Sequence, residues 1–207
     1  MKRPELHLKF PAHPVLDRYQ VDLLEALPPK EPESPVYVFP ERVEDVERGA
    51  VLLRISPSRM HPWIGVFALG YASAEVVHGI YSCPSMTDLC VVSGGYAYVV
   101  DVRNPKVWRR LDAQPIVRID VVPHPELLLF TDFKTISAWG EKGFLWQTEP
   151  LSWEGVTIRE ISPAGILGSG WQPWTDEEVD FCVDIHTGRH TGGVASRNPA
   201  TKVISNG

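Results

Sequence analysis

His186 and His190 are separated by three residues in a loop rich in glycine and threonine, a spacing also found in zinc sites. No CxxC pair or third ligand cluster accompanies them, and Cys182 falls across a strand, so they read as surface histidines at a turn. His78 and His124 stand singly beside apolar runs and read as structural. The other titratable candidates are Asp132 and the acidic stretch Asp176, Glu177 and Glu178. Glycoside hydrolysis would need two such carboxylates facing each other across a cleft. There is no nucleophile elbow, phosphate loop or dinucleotide fingerprint. The glycines at 165, 168 and 170 are not at fingerprint spacing. They lie in a strand-like run, where glycine marks a bulge or a close backbone approach. The sequence therefore assigns no catalytic residue, no metal ligand and no cofactor. Its distinctive supply is tryptophan, seven in all. Trp63, Trp108, Trp139 and Trp146 lie on apolar runs and read as core. Trp171 and Trp174 lie in the polar stretch from Trp171 to Glu178, where they would stack a sugar, anchor a protein partner or fold back as a lid.

Strands must position these residues. Ile116 to Val121 alternates between two faces, the period of a pleated strand, and Leu127 to Phe130 is a continuous apolar run suited to burial on both faces. Asp132-Phe133-Lys134 then makes a turn in which Asp bonds its own backbone. Thr135 to Trp139 and Phe144 to Gln147 complete a four-strand unit around Glu141-Lys142-Gly143. Before it, Val77 to Ser82, Leu89 to Ser93 and Tyr96 to Val102 form a similar unit, with Gly94-Gly95 as a tight hairpin that needs positive φ at both positions. After it, Val156 to Ile161, Ile166 to Gly170 and Val179 to Ile185 form a third.

The ends of these units share a layout: apolar strand, polar turn, then tryptophan. It runs from Val100-Asp101-Val102 to Val107-Trp108, and from Ala138-Trp139-Gly140 to Leu145-Trp146. It recurs without the tryptophan in Val183-Asp184-Ile185-His186-Thr187-Gly188-Arg189. Spacing of a few tens of residues points to stacked or radial units. These copies resemble blades of quinoprotein-like and WD-type β-propellers, whose third strand runs into a D-x-x-T-G-x-x-x-W-like turn. The resemblance covers the C-terminal half. No WD dipeptide closes a unit, and the likeness implies a local geometry without implying an activity.

The expected fold is all-β, an antiparallel meander of three blade-like sheets with an extended N-terminal arm. The domain bounds are a proline-rich arm over 1–35, one β domain over 36–195 and a polar tail over 196–207. Within the arm, Tyr19 to Leu23 alternates as a strand, although a helix over Leu16 to Leu27 competes. Val36 to Phe39, Val51 to Ile55 and Trp63 to Leu69 are further strands, and Pro40 to Gly49 suggests a short acidic helix. The arm strand is expected to cover a sheet edge, and a two-fold dimer another.

The 207 residues are 43% apolar and 22% charged, with 19 prolines and 16 glycines punctuating short runs, a composition that favours β architecture. The net charge of −6 argues against nucleic acid as a partner. No run reaches membrane-spanning length, and three cysteines make no paired framework, so a cytoplasmic setting is expected. The functional expectation is a non-catalytic protein-interaction or scaffold module whose partner is another protein or a second copy. The alternative is a protein that binds or hydrolyses carbohydrate through the Trp171–Glu178 loop. Either way, the site is expected on the rim of turns between second and third strands. Trp171 and Trp174 would be the anchors, Asp132, Asp176 and Glu177 the polar contacts, and the small Gly94-Gly95 turn would leave room for a ligand beside it.

Overall fold

The alternating and continuous apolar runs become strands whose bounds lie within two residues of those the sequence implies. The computed structural model describes residues 5–7, 19–28, 34–41 and 48–194. In chain order the first strands are β1 (Glu5–His7), β2 (Tyr19–Leu24), β3 (Val36–Phe39), β4 (Ala50–Pro57) and β5 (Trp63–Ala68). Next come β6 (Gly79–Ser82), β7 (Asp88–Ser93), β8 (Tyr96–Asp101) and β9 (Trp108–Arg110). They are followed by β10 (Arg118–Val122), β11 (Leu127–Thr131), β12 (Ile136–Gly140) and β13 (Gly143–Gln147). The last are β14 (Val156–Ser162), β15 (Gly165–Gln172), β16 (Glu177–Val183) and β17 (His190–Gly192). The described residues contain no helix. The acidic segment within Pro40–Gly49, the proline-rich linker before Val36 and the tail after Gly192 lie largely outside the described residues.

Four sheets result, one more than the three units the sequence suggests. The first has the order β2-β4-β5-β3, with β3 parallel to β5. The second is β6-β7-β8-β9, extended by β1 parallel to β6. The third and fourth are antiparallel meanders, β10-β11-β12-β13 and β14-β15-β16-β17. The extra sheet arises because β2 pairs along β4 for its whole length, from Tyr19 opposite Pro57 to Leu24 opposite Leu52. A lone arm would leave those backbone groups without partners. Its alternation settles strand over helix: Tyr19 is buried while Gln20 and Asp22 are exposed. Strands β1, β9 and β17 have three residues each, too short to show a period in sequence.

The sheets pack face to face in series, which makes three apolar interfaces. Phe39, Leu53, Phe67, Leu89, Tyr98 and Val100 join the first sheet to the second. Cys90, Val92, Val99, Leu128, Phe130 and Trp139 join the second to the third. Leu129, Ile136, Trp146, Ile158, Phe181 and Val183 join the third to the fourth. Strand β11 shows the logic, since its even-numbered apolar side chains face one neighbour and its odd-numbered ones the other. No core cluster among the described residues joins the first sheet to the fourth. The outer face of the fourth sheet is mostly polar: Thr157, Arg159, Asp180 and Cys182 are exposed there beside Leu167, and Arg159 Nη2 lies 2.8 Å from Asp180 Oδ1. The expected bulge occurs here, with the pairing slipping between Ile158 and Glu160 opposite Gly168 and Leu167.

The repeated turns occupy one end of the sheets. Asp101 closes β8, Gly140 closes β12 and Asp184 follows β16. Asp101 Oδ1 accepts from the N–H groups of Arg103 (2.7 Å) and Asn104 (3.1 Å), and Asp184 Oδ1 accepts from those of His186 and Thr187 (both 2.9 Å). The Thr187 hydroxyl and those N–H groups hold the Asp184 carboxyl below its usual range. Two tryptophans tie adjacent sheets together. Trp63 Nε1 donates to Val102 O (2.9 Å) and Trp146 Nε1 to Ile185 O (3.2 Å).

Candidate functional site

The turns between second and third strands, Gly94-Gly95, Asp132–Lys134 and Pro173–Asp176, lie at the other end. The linkers between sheets are bonded to them. Gly95 N–H donates to Val77 O (3.0 Å) and Ile116 N–H to Gly95 O (2.8 Å). Leu151 N–H donates to Lys134 O (2.7 Å) and Trp153 N–H to Trp171 O (3.0 Å). This rim is therefore a backbone-bonded platform.

The stretch from Trp171 to Glu178 is a hairpin tip rather than an enlarged loop. Trp171 pairs with Glu178 and Gln172 with Glu177, leaving a turn of residues 173–176. Its polarity reflects exposure of the tip, because β15 and β16 continue past the packed part of the sheet with their ladder intact. Trp171 is half-buried, and its Nε1–H donates to Asp176 Oδ1 at 3.0 Å. Asp176 has φ of 55°, a left-handed conformation that Asp tolerates. Trp171 and Asp176 thus brace the turn. Asp132 is likewise committed within its own turn. Its Oδ1 accepts from the N–H groups of Lys134 (2.7 Å) and Thr135 (2.6 Å), and its Oδ2 from the Thr135 hydroxyl (2.9 Å). Glu177 is exposed at the start of β16.

The Gly94-Gly95 turn has the predicted positive φ values, 57° and 77°, but no open space. Both glycines are buried, and a Cβ on Gly95 would stand 2.8 Å from Pro115 Cβ. The room expected beside this turn is filled by the linkers that pass over it. His78 Nδ1 accepts the Gly94 N–H at 3.0 Å, and burial pushes its imidazole below the ordinary value, which favours the neutral ring this bond requires.

Trp174 is different. It is 40% exposed and meets Trp153, itself 48% exposed, edge to face at 5.3 Å. Lys134 Nζ lies 5.4 Å from the centre of the Trp153 ring, within cation–π range. The structure thus brings Trp174 together with the turn that contains Asp132, but through Trp153 and Lys134, which the sequence reading did not select. Trp153 follows an apparently ordinary linker, Glu149-Pro150-Leu151-Ser152. The signal was Leu151, fully buried, which pins the linker so that Trp153 must stand at the surface. Gly94-Gly95 belongs to the second sheet, two sheets away from β15 and β16.

His186 is exposed in the turn after β16, and His190 Nδ1 lies 3.0 Å from Gly192 O. No group of three or more His, Cys, Asp or Glu among the described residues is arranged to hold a metal ion. Cys83 and Cys90 are free and buried, which pushes both thiols up, while Cys182 is free and exposed. No helix among the described residues is long and apolar enough to cross a membrane. No protein-family model, curated protein or solved structure matches this chain.

Proposed function

We propose that the chain is a non-catalytic interaction module that docks a protein partner on the rim formed by Trp153, Trp174 and Lys134. One observation carries the reading: two large aromatic side chains are held at the surface by a bonded backbone platform instead of folding onto the core. Exposed tryptophans on a rigid support suit the anchor role that dominates many interfaces, and rigidity limits the entropy lost on docking. The serial sheets, with a repeated third-to-fourth turn in the last three, support a blade-like scaffold of the β-propeller kind. Three free cysteines fit a cytoplasmic setting.

The carbohydrate reading has less support. It needs an open indole face beside free carboxylates, whereas Lys134 lies over Trp153 and both Asp132 and Asp176 are bonded within their turns. The partner is a different protein or a second copy, and sedimentation of the purified chain separates these. The decisive test replaces Trp174 by Ala and measures thermal stability and partner capture together. Loss of capture with the melting temperature held supports docking. A large fall in melting temperature with capture unchanged would assign the ring to the core and end the proposal.

A further inference from the structure

At the opposite end of the sheets, Asp88 and Asp101 are directly paired across β7 and β8. Paired residues share a face, here the one that carries Cys90 and Val99 toward the third sheet. Both aspartates are half-buried. They line a cleft of about 500 Å³ whose far wall is Trp139, Glu141, Lys142 and Phe144, with Trp108 and Arg109 beside them. Burial first, and then the charge of Asp101, push the Asp88 carboxyl above its ordinary value.

Lys142 and Glu141 also line the cleft, yet among the described residues neither aspartate closes an ion pair with a cation. Trp139 is only 6% exposed, and its Nε1–H closes no hydrogen bond. That donor faces Asp88 and, with the Ser85 side chain, works against the upward push of burial and of Asp101. Arg109 also lines the cleft, with its guanidinium turned to partners other than the two aspartates. Its guanidinium sits 5.0 Å from the centre of the Phe144 ring and 3.9 Å from Asp112.

We propose that this cleft accepts the side-chain cation of a basic peptide, a lysine ammonium or an arginine guanidinium, between the carboxylates of Asp88 and Asp101. A cation there removes the repulsion between the two aspartates. It also favours the ionised form of Asp88, the form that best accepts a bond from Trp139 Nε1. The aromatic side of Trp108 favours the same guest. The chain's net charge of −6 draws basic segments toward it. A divalent metal fits less well. Asp101 already spends one oxygen on two backbone N–H groups, and a hard cation needs six or so oxygen ligands, as a rough count. The site is independent of the tryptophan rim, so either can fail alone.

Calorimetric titration of the full chain with acetyl-Gly-Lys-Gly-amide and acetyl-Gly-Arg-Gly-amide tests it, with acetyl-Gly-Leu-Gly-amide as the neutral control. The basic peptides should bind and the leucine peptide should not. Acetylating the lysine side chain, which leaves the protein untouched, should abolish binding of that peptide. Asp88→Asn should weaken binding about tenfold or more, the worth of a hydrogen bond to a charged group, while Trp153→Ala should not change it. Failure of both basic peptides to bind, equal binding by the leucine peptide, or unchanged affinity in Asp88→Asn would each overturn the proposal.

Discussion

Replacing Gly95 by Ala probes how tightly the rim is closed, and Gly155→Ala supplies its control. Both glycines have left-handed backbone, with φ of 77° and 88°. An L-residue there costs about 1–2 kcal/mol from the clash of its Cβ with the backbone. The surroundings differ. A Cβ at Gly155 meets nothing within 4 Å. At Gly95 it would lie 2.8 Å from Pro115 Cβ, 3.2 Å from Val76 Cβ and 3.3 Å from Ile116 N. None of these is the far end of a flexible side chain, so the linkers must shift, at about 1–3 kcal/mol for overpacking. The expected losses are about 1–2 kcal/mol for Gly155→Ala and about 2–5 kcal/mol for Gly95→Ala. At roughly 2–4 °C per kcal/mol for a chain of this size, the melting temperature falls about 2–8 °C and about 4–20 °C respectively. Differential scanning calorimetry at neutral pH reads both. Equal losses would refute the packing argument and mean that space remains beside the Gly94-Gly95 turn.

Leu129→Ala removes a fully buried side chain from the interface between third and fourth sheets, and should cost about 2–5 kcal/mol. The measure is a lower urea midpoint with little change in slope. Asp88→Asn should be at least as stable as the wild type at neutral pH. The folded-state carboxyl value of Asp88 is raised, so the wild type gains stability as pH falls through that raised range, and the variant does not. A melting-temperature difference that stays constant from neutral pH to acid would contradict this. Asp184 has the opposite sign. Its lowered value contributes stability above the ordinary carboxylate range, and that contribution disappears as pH falls through the lowered value. Asp184→Asn should flatten this part of the acid-denaturation curve, and an unchanged pH dependence would count against it.

Strands whose two faces differ, or whose whole length is apolar, were legible because burial writes its period into the chain. Tyr19-Gln20-Val21-Asp22 and Leu127 to Phe130 are examples. The glycines were legible too, since positive φ at Gly94 and Gly95 and the bulge opposite Gly168 follow from local sterics. The grouping of strands was less so. Nothing local tells Val36 to Phe39 that it will run parallel to Trp63 to Ala68, because that pairing is decided by backbone partners far along the chain. The rim shows the same divide. Asp132, Trp171 and Asp176 carry the residue types of a binding site, yet each is satisfied by a neighbour within five positions. Trp153 was passed over because its exposure depends on Leu151 being buried by distant strands. The pair Asp88 and Asp101 was hidden for a further reason: only the hairpin register makes them face each other.

The serial packing of the sheets has a consequence for the order in which the chain can acquire structure during synthesis. All the core residues named between first and second sheets precede residue 103, and the partly buried Trp108 that packs on them follows closely. The second interface draws on residues up to Trp139, and the third on residues up to Ile185. Each interface can therefore close as soon as its second sheet emerges, without waiting for the C-terminus, and contacts of modest sequence separation favour rapid closure. The fourth sheet comes last and turns its mostly polar face outward. A growing chain thus presents an apolar sheet face at each stage until the next sheet covers it.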